Sequence, residues 1–303
     1  MLCHTSGLSA EETLLGQYVP LHYHFNLLQD TARMASFREA IGRVVRPDMN
    51  VLELGGGTGV LSYFAAQTAR HVCCIERNPA LVRASRHFLE LNGYGDKVQV
   101  IEGDALRFLP PEPVDVVICE MLHSGLLREK QLEVIGQFKE RYTRRFGPKL
   151  PVFLPEASLL AVQPVEQDYN FHGFQAAVPL FQSPAPTHDG TTPLAEPALY
   201  ATVRYDQPLP QAFEWTGCFR LLESGSVNAV RLLTKNVLAV LLDEQRSIDW
   251  SNQYLVLPLE QPISLYEGET IELSIAYEPG AALETVIAHA DITQDRVASP
   301  VAA

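Results

Sequence analysis

Three glycines at alternate positions, Gly55, Gly57 and Gly59, follow the apolar run Val51-Leu52-Glu53-Leu54 and precede Val60-Leu61-Ser62-Tyr63-Phe64-Ala65-Ala66. A β-branched run that breaks into clustered glycines and then resumes predicts a strand, a tight turn and a helix start. Glycine lets the backbone take positive φ and approach a ligand closely. The free N–H groups opening the helix add donors and a partial positive charge. Such a turn suits a nucleotide-like cofactor. It does not suit NAD, because a G-x-G-x-x-G fingerprint begun at Gly55 or Gly57 would need its last glycine where Val60 or Ser62 stands. Glu53 lies two residues ahead of the first glycine, and the next apolar run, His71-Val72-Cys73-Cys74-Ile75, ends in Glu76. An acid at that strand tip can accept hydrogen bonds from both ribose hydroxyls of an adenosine.

These residues need a scaffold, and the sequence predicts one: strands over 51–55, 71–76, 97–102 and 114–119, with helices near 59–69, 79–92 and 127–145. Pro79 after Asn78 fits a first helical turn, and Gly93 is placed to end that helix. Strands alternating with helices imply an α/β, doubly wound, mostly parallel sheet, in which ligands bind at the carboxyl ends of the strands. Glu76, Asp104 and Glu120 all fall at such ends.

Upstream, Ser9-Ala10-Glu11-Glu12 has capping-box spacing for a short helix. A second helix is written in residues 30–41, with Phe37, Ile41, Val44 and Val45 on one face and Pro47 closing it. These helices are placed to lie over the cofactor as a lid. Downstream of Pro148 and Pro151 the texture becomes one of short apolar runs, and residues 270–277 alternate strictly, which predicts a β domain, a sandwich or barrel. Residues 183–197, with four prolines, read as a long loop rather than core, and the tail from about Asp295 reads as disordered. The expected divisions are therefore 1–46 (lid), 47–150 (cofactor domain), 151–294 (β domain) and 295–303 (tail).

The 303 residues suit two packed cores, and 47% hydrophobic with 19% charged residues is the composition of a folded, soluble chain. No apolar stretch is long enough to cross a membrane, and the amino terminus lacks the basic and apolar regions of a signal peptide, so the cytoplasm is the expected compartment. Five scattered cysteines suit reduced thiols, and no Cys/His cluster has zinc spacing, so no metal is expected. A formal net charge of −13 disfavours nucleic acid as a partner and favours cationic substrates. The basic cluster Lys139, Arg141, Arg144, Arg145 and Lys149 reads as a solvated helix face.

The E-x-G-x-G-x-G turn with its following acid resembles the class I S-adenosylmethionine-dependent methyltransferases, whose cofactor domain is Rossmann-like. Three further stretches resemble the protein arginine methyltransferases within that class. Residues 24–33 look like that family's H-x-x-M-L-x-D-x-x-R signature. Glu120 and Glu129 have the nine-residue separation of its paired glutamates. Residues 152–157 resemble its entry into a β-barrel, and the run through Trp250 to Gly268-Glu269 resembles the barrel's end.

The resemblance implies S-adenosyl-L-methionine as cofactor, with Arg33 on its carboxylate and His24 nearby in the lid. Gly55, Gly57 and Gly59 then line the methionine and ribose, Glu76 holds the ribose hydroxyls, and Asp104 lies near the adenine amine.

Glu120, ending a strand, and Glu129, opening the next helix, could turn both carboxylates into one pocket. A guanidinium is planar, permanently charged and matches carboxylates in a two-pronged way, so the pair could hold an arginine and concentrate electron density on one nitrogen. The expected activity is N-methylation of arginine in a protein or peptide. RNA or a small metabolite as acceptor, with His123 or Asp249 as a base, and a noncatalytic cofactor-binding module are the alternatives.

Two departures stand out. Met121-Leu122-His123-Ser124 replaces an aromatic stretch, so the wall for a guanidinium is missing. Ile248-Asp249-Trp250 replaces Thr-His-Trp, which would set Asp249 against Asp30 as two facing carboxylates. Proline in residues 165–200 leaves the family's helical dimerisation arm, and hence a homodimer, open.

Overall fold

The computed structural model describes residues 19–185 and 187–292. The capping box at Ser9 and the tail from Asp295 lie outside the described residues.

Helix α1, Leu21–Gln29, leads through Asp30 into α2, Thr31–Val44. The Asp30 carboxylate caps α2 by accepting from the Arg33 N–H at 2.8 Å. Arg33, Phe37, Ala40 and Ile41 form the buried face of α2, while Val44, expected on that face, is only half-buried. The alternation that follows gives β1 (Asn50–Leu54), α3 (Val60–Ala66), β2 (His71–Glu76), α4 (Pro79–Leu91), β3 (Val98–Glu102), β4 (Val116–Cys119), α5 (Gln131–Phe146) and β5 (Val152–Leu154). All five strands pair in parallel, in the order β3-β2-β1-β4-β5. The sheet thus runs past residue 150, where the sequence placed the start of the β domain. Near-continuous burial along β1, β2 and β4 is what a parallel sheet covered on both faces requires.

Beyond β5 the chain is antiparallel. The central strand, Gly225–Leu241, pairs on one side with Ala157–Gln167 and on the other with Tyr254–Leu265 and Arg246–Ser251. A separate sheet joins Phe213–Arg220, Thr270–Tyr277 and Ile287–Ile292. The two sheets do not close into one cylinder, so the arrangement is barrel-like rather than a closed barrel.

Residues 183–197 differ from the expected loop. Thr191–Pro193 forms a strand on Ala157–Gln167, and Leu194 and Ala195 are buried in the core. Burial of Leu194 and Ala195 and backbone pairing outweigh proline content there. Among the described residues, 165–200 contains strands and turns but no helix. The basic cluster also does more than face solvent. Lys139 donates to the Tyr205 carbonyl at 2.8 Å, Arg141 to that of Leu106 and Arg145 to that of Pro111 at 3.2 Å, which ties α5 to three loops.

Candidate functional site

The glycine turn forms as its residue types demand. Gly55, Gly57 and Gly59 have φ of +78°, +54° and +78°, and the Gly55 and Gly56 N–H groups both donate to the Ile75 carbonyl at 2.9 Å. A Cβ at Gly57 would stand 2.7 Å from His24 Cε1, and one at Gly55 would stand 3.2 Å from the Met121 sulfur. Glu53 is buried beneath the turn and accepts from the Ser62 N–H at 2.9 Å and from the Ser62 hydroxyl. Burial pushes its carboxyl up to about 7, against the pull of those donors. Glu76, at the end of β2, accepts from the Gly57 N–H at 2.8 Å and the Asn78 N–H at 2.7 Å.

A cleft of about 960 Å³ opens over this turn, lined by residues from both the parallel-sheet and the antiparallel parts of the chain. His24 and Arg33 come from α1 and α2, Gly55, Gly57 and Glu53 from the turn, Glu76 from β2, Asp104 from the end of β3, and Glu120 and Glu129 from the loop after β4. Gly59 stands behind it, its Cβ position against Ser85 and Leu89. The structure therefore gathers all the expected site residues except Gly59 around one cleft. Asp104 accepts from the Leu106 N–H at 3.0 Å, a turn contact that leaves its second oxygen 3.9 Å from Arg107.

Arg33 is almost fully buried. Its Nη2 donates to Glu120, its plane lies 5.4 Å from the Phe37 ring centroid, and its Nε has no partner. Burial pulls its pKa down, but the nearby Glu120, Asp30 and Glu53 charges outweigh that and leave it raised. His24 lies against the turn with its Nε2 unpartnered, its pKa lowered by burial and by Arg33.

Glu129 is not on the helix. It stands two residues before α5, after a 3-10 turn at Ser124–Leu126, and Leu126 and Arg128 take φ of +55° and +60°. Such backbone in non-glycine residues costs about 1–3 kcal/mol each and persists only where surroundings impose it. The antiparallel sheets supply that constraint. The Ser124 hydroxyl donates to the Gln253 carbonyl at 2.6 Å, the Asn252 amide to that of Leu122 at 2.8 Å, the Gly125 N–H to the Thr234 hydroxyl at 2.7 Å, and the Arg128 N–H to the Ala281 carbonyl at 2.8 Å. The buried Gln131 amide spans the end of β4, donating to the Cys119 carbonyl and accepting from the Met121 N–H. None of the anchors on the antiparallel sheets carries a short-range sequence signal, because each joins residues far apart in the chain. The Glu129 carboxylate has no hydrogen-bond partner among the described residues. Burial, and secondarily the Glu120 charge, push it up to about 8. Glu133, which could have shared a solvated helix face with it, pairs instead with Lys130 at 3.6 Å.

The Asp249 expectation is corrected. Its carboxylate faces Lys235, at 2.8 Å, on the neighbouring strand, and Asp30 instead accepts from Trp250 Nε1 at 3.2 Å. One residue along a strand changes the face, so Trp250 and not Asp249 points to Asp30. Asp249 does not line the cleft and is not placed to act as a base there.

The site fits the cofactor. Positive-φ glycines leave room that a Cβ would fill, an acid stands at the β2 tip, and two buried nitrogens, His24 Nε2 and Arg33 Nε, lack partners. A family profile described as "Methyltransferase domain" matches residues 51–142. An uncharacterized protein of Methanothermobacter thermautotrophicus is 31% identical over 267 residues, 87% of this chain and 95% of that protein. Protein arginine N-methyltransferase 1 of Saccharomyces cerevisiae is 32% identical over 146 residues, 47% of this chain and 42% of that protein, so the match spans less than half its length. The fold is similar to that of a chain in the structure described as the Trypanosoma brucei PRMT1 enzyme–prozyme heterotetrameric complex with AdoHcy, with TM-score 0.74 and 19% identity over 91% of this chain and 95% of that one. No helix among the described residues is long and apolar enough to cross a membrane. With its five parallel strands, glycine cradle and β2 acid, the chain carries a methyltransferase domain of the class I S-adenosylmethionine-dependent type, and it resembles the protein arginine methyltransferases within that class.

Proposed function

We propose that this enzyme methylates a guanidinium nitrogen of arginine in a protein or peptide, with Glu120 and Glu129 as the clamp. The observation that carries the reading is a carboxylate without a partner, Glu129, lining the same cleft as Glu120 in a loop held in strained backbone. When bound, the cofactor supplies an electrophilic methyl group on a sulfonium. Glu76 is assigned to the ribose hydroxyls, Asp104 to the adenine amine, and Gly55 and Gly57 to the methionine and ribose, while Gly59, behind the cleft, shapes the turn. Glu53 supports the turn through Ser62. Arg33 holds Glu120 through Nη2 and keeps Nε for the cofactor carboxylate, while His24 closes over Gly57. Residues 1–46 then act as the lid and 151–294 as the support for the acceptor side.

At neutral pH the empty clamp carries a proton on Glu129, because its carboxyl is raised to about 8. An arriving guanidinium displaces that proton, and each carboxylate then takes one N–H edge of the planar cation. Holding the acceptor nitrogen in line with the methyl can account for roughly 7–11 kcal/mol of barrier. During transfer, the nitrogen gives up its proton to Glu129, the carboxylate that holds it.

The test is transfer from radiolabelled S-adenosylmethionine to an arginine-containing peptide, followed by acid hydrolysis and identification of methylarginine. Glu129→Gln is expected to lower kcat/KM by about 2–5 kcal/mol of transition-state binding while leaving cofactor affinity in place, and Glu120→Gln to lower it as much while also loosening Arg33 and with it the cofactor. Full activity in both variants would overturn the clamp.

A further inference from the structure

Between Ala157–Gln167 and Ala198–Arg204 the chain makes an excursion that returns to the sheet as the short strand Leu180–Gln182. This strand is antiparallel to residues 254–256, with Phe181 opposite Leu255. Side-chain alternation sets where each residue points. Leu180 packs on Val165, Tyr169, Ala229 and Val256, and Gln182 joins Thr191 and Gln167 on that same outer face. Phe181, between them, turns to the other side and lines the cleft together with Pro184. There its ring meets that of His123 edge-on, with centroids 5.4 Å apart at 90°. His123 belongs to the loop that carries Glu120 and Glu129.

We propose that Phe181, braced by His123, is the aromatic face on which the acceptor guanidinium stacks. The proposal rests on the arginine reading given above. A guanidinium offers its edges to carboxylates and its face to an aromatic ring, so a clamp of two glutamates leaves the planar face to be covered. The loop itself has no aromatic beyond His123, its residues being Met121, Leu122, His123 and Ser124. The excursion supplies a ring from elsewhere in the chain, and 40% of Phe181 remains open to the cleft and solvent. Burial holds the His123 imidazole down at about 4, so it is neutral at pH 7 and does not repel a cation.

The experiment is steady-state kinetics of the full chain with an arginine-containing peptide and with free L-arginine, for wild type and for Phe181→Trp, Phe181→Leu and Phe181→Ala. Removing the ring is expected to raise KM for the arginine probes roughly 3- to 30-fold, with kcat within about twofold and cofactor affinity unchanged. Phe181→Leu keeps apolar bulk without a π face and should behave like Phe181→Ala, whereas Phe181→Trp should match or improve on wild type. Equal KM values in wild type, Phe181→Leu and Phe181→Ala would overturn the stacking face and leave the clamp standing. A wild-type enzyme that transfers no methyl group to either probe would overturn the arginine reading, and this proposal with it.

Discussion

The cofactor half of the cleft is local in sequence: Glu53 is held by Ser62, nine residues on, and Glu76 by Gly57 in the adjoining turn. The acceptor half is assembled across the chain, Ser124 resting on Gln253, Leu122 on Asn252 and Gly125 on Thr234. Asp249 Oδ1 aside, the unpartnered buried atoms among the described residues divide in a similar way. His24 Nε2 and Arg33 Nε line the cofactor half, where a ligand can meet them. Tyr169 Oη, Gln182 Oε1, His188 Nδ1 and Arg231 Nη1 belong to the seat of the 168–197 excursion and the strands beneath it. Each such atom costs about 1–3 kcal/mol.

The sharpest way to break this comparison is Gly57→Ala. Positive φ and a Cβ placed 2.7 Å from His24 make it costly, and strain of about 1–3 kcal/mol predicts roughly 10- to 100-fold weaker cofactor binding by calorimetry. Unchanged affinity would mean that the turn is not a tight cradle. A smaller effect of opposite sign is expected at the seat. Arg231 is buried over the Tyr254 ring, donates only to Gln163, and has no carboxylate partner among the described residues. Arg231→Met should raise stability to thermal unfolding by about 1–2 kcal/mol and leave cofactor affinity alone. A large loss of stability would show the seat to be well satisfied.

A further effect is in pH. Glu53 and Glu129 bind protons more tightly folded, at about 7 and about 8, than at the ordinary 4.5. Their contribution to stability is full below about 4.5 and is lost as pH rises through 7 and 8. The stability of the ligand-free wild type relative to Glu129→Gln should therefore fall between pH 5 and pH 8.5, in paired thermal melts. A constant difference would mean that Glu129 is not raised.

The cofactor half was legible in the sequence because its signals are short-range. Alternation of apolar runs, glycines that need positive φ and an acid at a strand tip are all contained within about thirty residues of β1 and β2. The other half was not, because strand register decided it. Asp249 and Trp250 exchange faces on a one-residue difference, and Phe181 reaches the cleft only through pairing with Leu255. Helix α1 escaped notice for a different reason. It buries no residue and follows Pro20 without a side-chain cap, so neither periodicity nor capping announces it. Glu129 was located in sequence but not in structure, since the strained turn that lifts it off α5 is imposed by Thr234, Asn252 and Ala281, far along the chain.

Binding of an arginine-containing peptide to the enzyme–S-adenosylhomocysteine complex at pH 7, by calorimetry in two buffers of different ionisation enthalpy, reads the protons exchanged. With Glu129 at about 8 in the empty clamp, wild type should release most of one proton and Glu129→Gln none. Peptide binding with no proton release, or with equal release in the variant, would contradict the assignment of Glu129 to the guanidinium.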